Sequence, residues 1–117
     1  MIDTNNRIRN FHIRKAVDYI ENNYSEPLSL DDMAKYLNLN KSYLSHLFKK
    51  ETAKTYSQIV NEIRIEKSKD LIINTNLSIL EVALSVGYNN QNYFNMVFKK
   101  ITGITPLNYR NQFAYKK

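Results

Sequence analysis

Two stretches of this sequence follow one pattern. Leu28-Ser29-Leu30 with Ala34 and Leu37 recurs as Leu77-Ser78-Ile79 with Ala83 and Val86. Tyr43-Leu44-x-x-Leu47-Phe48-Lys49-Lys50-x-Thr52 recurs as Tyr93-Phe94-x-x-Val97-Phe98-Lys99-Lys100-x-Thr102. The offset is 49 residues in the first part and 50 in the second, so the second copy holds one extra residue in its turn. A duplication of this length is hard to reach by chance and restricts the chain to two similar units. Each unit reads as a short helix, a turn and a basic helix. One unit is too short to stand as a solenoid, but two copies joined by a helix make a pair.

Hydrophobic periodicity places the remaining elements. Ile8, Phe11, Ile13, Ala16, Val17, Ile20 and Tyr24 fall near i, i+3, i+4 spacing and predict a first helix from about Asn6 to Asn23. Pro27 marks the connection after it. Ser29 followed by Asp32 resembles a capping box with Asp in the Glu place, and Leu30, Met33, Ala34 and Leu37 form the short helix behind it. Asn40 caps a helix from Lys41 to about Glu51 with Leu44, Leu47 and Phe48 inward. A longer helix runs from about Tyr56 to Ile73. Ser78 with Glu81 is a cleaner capping box, and Gly87 ends that helix. Asn90 caps a helix to about Ile101, with Phe94, Val97, Phe98 and Ile101 inward. Gly103 terminates it, and Thr105-Pro106 opens a last short helix holding Leu107, Tyr109 and Phe113. No strand is expected.

Composition narrows the function. Seventeen Lys and Arg against 11 Asp and Glu give a formal charge of +6, which favours polyanionic partners, nucleic acid first. The chain has no cysteine, which removes disulfides, thiolate zinc sites and cysteine nucleophiles. Two histidines, His12 and His46, are too few for most histidine-based metal sites, and two glycines cannot build a phosphate-cradling loop. No cofactor and no metal are expected. No carboxylate pair sits near a histidine in a register that suggests a cleft, so an enzyme is not expected. Asp31-Asp32 reads as first-turn charge complementing a helix dipole. Residues 1–9 hold no apolar run of signal-peptide length, and no stretch approaches about 18 apolar residues, so no membrane span is expected. A cytoplasmic location fits these features.

The repeated unit has the requirements of a helix-turn-helix. Such a motif needs a small residue where its helices approach, and Ala34 and Ala83 stand there. It needs a turn residue that accepts positive φ four positions later, and Asn38 and Gly87 stand there. The second helix then keeps a polar outward face that can reach base edges. That face is Lys41, Ser42, Ser45, His46 and Lys49 in the first unit. In the second it is Gln91, Asn92, Asn95, Met96 and Lys99. Gln and Asn can pair with adenine through two hydrogen bonds, whereas Ser and His select less sharply. Recurrence of Lys49-Lys50 as Lys99-Lys100 on matching helices favours phosphate contact over a merely solvated face. Arg7, Arg9, Arg14 and Lys15 fit either phosphate contact or solubility. Arg64, with Glu62 and Glu66 nearby, reads as a structural ion-pair residue.

The run Ile79-Leu80-Glu81-Val82-Ala83-x-x-Val86-Gly87-Tyr88 leads into Tyr93-Phe94-x-x-x-Phe98-Lys99-Lys100-x-x-Gly103-x-Thr105-Pro106-x-x-Tyr109-Arg110. It resembles the DNA-binding domain of the arabinose-regulator (AraC/XylS) family of bacterial transcription regulators. The resemblance extends from about Ile8 to Arg110. It implies an all-α fold of seven helices, with helix-turn-helix subdomains at 1–55 and 75–117 joined by a linker helix at 56–74. It implies that the helices at Lys41–Glu51 and Asn90–Ile101 enter adjacent major-groove segments of double-stranded DNA. Carried over by position, the base-reading candidates are Ser42, Ser45, His46, Gln91, Asn92, Asn95 and Met96. Lys41, Lys49, Lys50, Lys99 and Lys100 are the phosphate candidates. Regulation of transcription, usually activation through RNA polymerase, is also implied by the resemblance.

Three departures from the family pattern matter. Ala53 replaces a usual glycine after the first recognition helix, so the helix end there is costly or differently shaped. Met96 stands where Arg is common, removing one guanine or phosphate contact. The second domain that most members carry, for effector binding or dimerisation, has no counterpart in this sequence. That pattern fits a stand-alone short member or an excised domain.

The expected mechanism is bipartite reading by a monomer, with motifs about 10 base pairs apart and modest bending of the DNA if the helices lie closer than one turn. A rival reading has the same polar faces serving as a protein-interaction module, with little DNA binding at physiological salt.

Overall fold

The computed structural model describes residues 10–114. It contains α1 (Phe11–Asn23), α2 (Leu30–Leu37), α3 (Lys41–Thr52), α4 (Tyr56–Asn74), α5 (Ile79–Ser85), α6 (Gln91–Thr102) and α7 (Pro106–Phe113). There is no strand among the described residues, so the all-α expectation of seven helices holds.

Helix starts are set by side-chain caps. Asn10 is extended (φ −70°, ψ 124°), and its side chain accepts from the amides of His12 and Ile13 at 2.9 and 3.2 Å. This corrects the expected start at Asn6: apolar spacing ran past a residue better used as a cap than as a turn of helix. Phe11, counted on the inward stripe, is 70% exposed because it is the first residue after that cap. Ile8, Arg7 and Arg9 lie outside the described residues.

Ser29 accepts from the Asp32 amide at 3.0 Å. Ser78 and Glu81 form the full reciprocal box: the Glu81 amide donates to Ser78 Oγ at 3.0 Å, and the Ser78 amide to Glu81 Oε1 at 2.9 Å. The amide of Ser78, with its hydroxyl next, holds the Glu81 carboxyl below the usual carboxylate value. Its folded value is depressed, so the box contributes above the ordinary Glu range and is lost as pH falls through the folded value.

The chain divides after Ile63, inside α4, into two compact units. In the first, Ile13, Val17 and Ile20 of α1 bury against Met33 and Leu37 of α2, Leu44 and Phe48 of α3, and Tyr56, Ile59 and Ile63 of α4. The Tyr56 ring meets Phe48 edge to face at 5.3 Å, and its hydroxyl donates to the Leu28 carbonyl at 2.9 Å. In the second, Ile65, Ile72, Val82, Ala83, Val86, Tyr88, Phe94, Val97 and Phe98 are buried. Phe98 packs on Phe94 at 5.8 Å and edge to face on Tyr109 of α7 at 5.3 Å.

Arg110 of α7 donates through Nε to the Ile72 carbonyl at 2.9 Å, and its guanidinium lies 3.5 Å from the Thr75 carbonyl. A helix end leaves its last carbonyls without partners and carries partial negative charge. Arg110 answers both at the end of α4.

The helix-turn-helix turns match in the two units. Asn38 has φ 57° and Gly87 φ 105°. In each turn the next amide reaches back to the small residue's carbonyl: Leu39 to Ala34 and Tyr88 to Ala83, both 2.9 Å. These six-to-one bonds are those of a Schellman ending. The extra residue of the second copy falls between Gly87 and Asn90, where the buried Tyr88 replaces Leu39.

The basic helices also end alike. Gly103 has φ 91° and donates to the Lys99 carbonyl at 2.7 Å; Ala53 has φ 62° and donates to Lys49 at 2.9 Å. The alanine therefore keeps the left-handed shape and carries its steric cost. A Cβ on Gly103 would meet nothing within 4 Å, so only backbone conformation opposes a side chain there. We expect Ala53→Gly to stabilise by about 0.5–1 kcal/mol and Gly103→Ala to destabilise by about 1 kcal/mol, read as opposite shifts in urea midpoint.

Ile101 corrects an expectation: it is 41% exposed, because the last turn of α6 runs past the core filled by Phe94, Val97 and Phe98. In α7 the buried residue is Pro106, whereas Leu107 and Phe113 are exposed and Tyr109 is half-buried.

Candidate nucleic-acid interface

α3 and α6 are built as one-sided helices. Each buries an apolar triad, Leu44, Leu47 and Phe48 in α3 and Phe94, Val97 and Phe98 in α6. The triads pack toward α2 and α5 respectively, which leaves the opposite stripe to solvent. The cap residues fix where each stripe begins: Asn40 accepts from the Ser42 amide at 2.8 Å, and Asn90 from the Tyr93 amide at 2.8 Å.

On α3 the face is open. Ser42, Ser45, His46, Lys49 and Lys50 are all exposed. Lys41 is exposed as well and lies 3.4 Å from Asp31. An ion pair this exposed is worth little, so Lys41 can exchange Asp31 for another anion at small cost.

On α6 the face is more uneven. Asn92, Met96, Lys99 and Lys100 are exposed, whereas Gln91 and Asn95 are half-buried. The Asn95 Oδ1 is buried without a hydrogen-bond partner. Two-bond pairing with adenine needs both ends of the carboxamide. In this conformation Asn95 therefore lacks the acceptor half of that pairing. Met96, at the position matching His46, is 60% exposed.

The lysine pairs occupy the last turns of α3 and α6. Their charge complements the carbonyl ends of these helices. Each pair is also free to meet an external anion.

Arg64 stands with its guanidinium over the Tyr88 ring, 5.4 Å from the centroid. The two neighbouring carboxylates have lysine partners: Glu62 meets Lys54 at 2.7 Å and Glu66 meets Lys69 at 3.1 Å. Burial pushes the Tyr88 hydroxyl pKa up, and the Arg64 charge opposes that only in part. Arg64 thus helps hold the second turn.

Sequence reading assigned no role to two residues that position these helices. Thr52 donates to the Phe48 carbonyl at 2.7 Å and accepts from the Lys54 amide at 3.1 Å. Thr102 repeats this with Phe98 at 2.8 Å and Ile104 at 3.3 Å. Recurrence of the threonine was the available signal. Arg110, which ties α7 to the end of α4, is absent from the repeat, and its place in the run Thr105-Pro106-x-x-Tyr109-Arg110 was the available signal.

Among the described residues no helix is long and apolar enough to cross a membrane, and no group of side chains is arranged to hold a metal ion.

The profile of a family described as "Helix-turn-helix domain" matches residues 33–112. An uncharacterised helix-turn-helix-type transcriptional regulator of Pseudoalteromonas carrageenovora is 39% identical over 92% of this chain and 64% of its own length. The chain spans only 12% and 34% of the next two curated relatives. Among solved structures, the C-terminal domain of AraT, a response regulator from Geobacillus stearothermophilus, is 35% identical with a TM-score of 0.87, covering 92% of this chain and 90% of that one. A transcriptional regulator with an AraC-type DNA-binding domain from Chromobacterium violaceum is 30% identical with a TM-score of 0.81, over 91% of this chain and 95% of that one. Fold, paired turns and recognition-helix pattern agree with these matches: the chain belongs to the AraC/XylS family of helix-turn-helix DNA-binding domains.

Proposed function

We propose that this domain reads double-stranded DNA with both helix-turn-helix units and thereby regulates transcription. The observation that carries this reading is the matched pair α3 and α6. Each buries its apolar triad and leaves polar side chains and a lysine pair outward. A single helix-turn-helix would support DNA binding; the duplication supports a bipartite site.

Ser42, Ser45 and His46 of α3, and Gln91, Asn92, Asn95 and Met96 of α6, are the base-reading residues in this proposal. Lys41, Lys49, Lys50, Lys99 and Lys100 hold phosphates, which fixes register without selecting sequence. The two motifs lie about 10 base pairs apart, one turn of duplex. Segments 1–55 and 75–117 act as the two readers and 56–74 as their link. In this reading the protein works on the bacterial chromosome in the cytoplasm, with RNA polymerase as its downstream partner.

The test separates reading from gripping. Gln91→Ala or Asn92→Ala is expected to cost roughly 1–3 kcal/mol and to relax preference at one base position. Lys49→Ala is expected to weaken cognate and scrambled duplexes by the same factor. Binding titrations of each variant against both duplexes check this. Equal losses on both duplexes for Gln91→Ala and Asn92→Ala would remove their base-reading role.

A further inference from the structure

We infer that Met96 selects a thymine by contact with its 5-methyl group. The inference rests on the DNA-reading proposal and adds a base identity to it. Met96 is 60% exposed on α6, between the exposed Asn92 and Lys99 and beside Asn95. Its counterpart on α3 is the polar His46, also exposed. The apolar side chain is therefore a feature of the second reader alone.

A thioether on a polar, solvent-facing stripe gains nothing where it stands. It gains only when an apolar group comes to meet it. The base edges of the major groove offer donors, acceptors and one apolar group, the thymine methyl. Methionine suits such a contact, because its unbranched and polarizable chain adapts to a small group without a fixed hydrogen-bond geometry.

The test replaces single thymines by deoxyuridine, which removes the methyl and leaves every hydrogen-bonding group in place. The duplex is the best binder from a randomised pool, and affinities are measured by fluorescence anisotropy. For the unaltered protein, one uracil position in the half-site read by α6 should weaken binding about three- to fivefold, the scale of one buried methyl group. Met96→Ala and Met96→Gln should bind the thymine duplex more weakly by a similar factor and should not distinguish uracil from thymine there. Both changes are on an exposed position, and an unchanged helical circular dichroism spectrum confirms the fold.

Three results overturn the inference while leaving DNA reading intact. One is the absence of thymine from that half-site. Another is a protein indifferent to uracil at every position. The third is uracil sensitivity that persists unchanged in both Met96 variants. Failure to bind any duplex would instead overturn the DNA-reading proposal itself.

Discussion

Raising salt from 50 to 200 mM is expected to weaken binding to a cognate duplex by about 10³–10⁴-fold, if about six to eight phosphates are neutralised. The exposed Lys41, Lys49, Lys50, Lys99 and Lys100 supply most of that charge, and Arg14 and Lys15 are exposed as well. Each phosphate-bound cation releases counterion from the duplex, so log affinity falls with log salt at a slope of about −5 to −7. Lys99→Ala should reduce the slope by about one. A slope near zero would mean that the pairs Lys49-Lys50 and Lys99-Lys100 serve only as charges at the carbonyl ends of α3 and α6.

The largest expected effect on stability belongs to Phe98→Ala. Phe98 is fully buried and lies between Phe94 and Tyr109. Removing such a ring costs about 3–5 kcal/mol, through lost burial and the cavity left behind. A domain of this size has only about 5–15 kcal/mol of stability in total, so a large share goes with one side chain. The second recognition helix is lost along with the core that holds it. Urea denaturation followed by helical circular dichroism measures the shift. Phe48→Ala should act in the same way on the first unit, where Phe48 is also fully buried. A loss under about 1 kcal/mol for either variant would contradict the packing described here.

The repeat made most of this fold legible. Caps at Ser29, Asn40, Ser78, Asn90 and Thr105 stand where sequence places them, because a short polar side chain before an apolar stripe has one favourable use. Asn38 and Gly87 were legible for a similar reason: few residues accept the left-handed backbone that the turn requires. Ala53 shows the limit of that logic, since the turn is conserved between the two copies although its glycine is not.

Periodicity misled at the ends of helices. It extended α1 beyond Asn10 and turned Ile101 inward, since a pattern of spacing has no information about where the packing partner stops. The recognition faces were legible as faces but not in detail. That Asn95 hides its carbonyl oxygen depends on the surrounding packing, which no helical wheel shows. The contacts of Arg110 were unreadable for a different reason: its partners, Ile72 and Thr75, lie 38 and 35 residues away in sequence.

Whether both units read bases is tested most directly by selection from a randomised duplex pool at about 0.15 M salt, a concentration at which nonspecific binding is weak. Two enriched motifs about one helical turn apart are expected, the second containing a thymine that Met96→Ala no longer requires. One short motif would contradict paired reading and reduce the other unit to a backbone clamp. No binding at all would contradict the DNA-reading account and favour a protein partner for these polar faces.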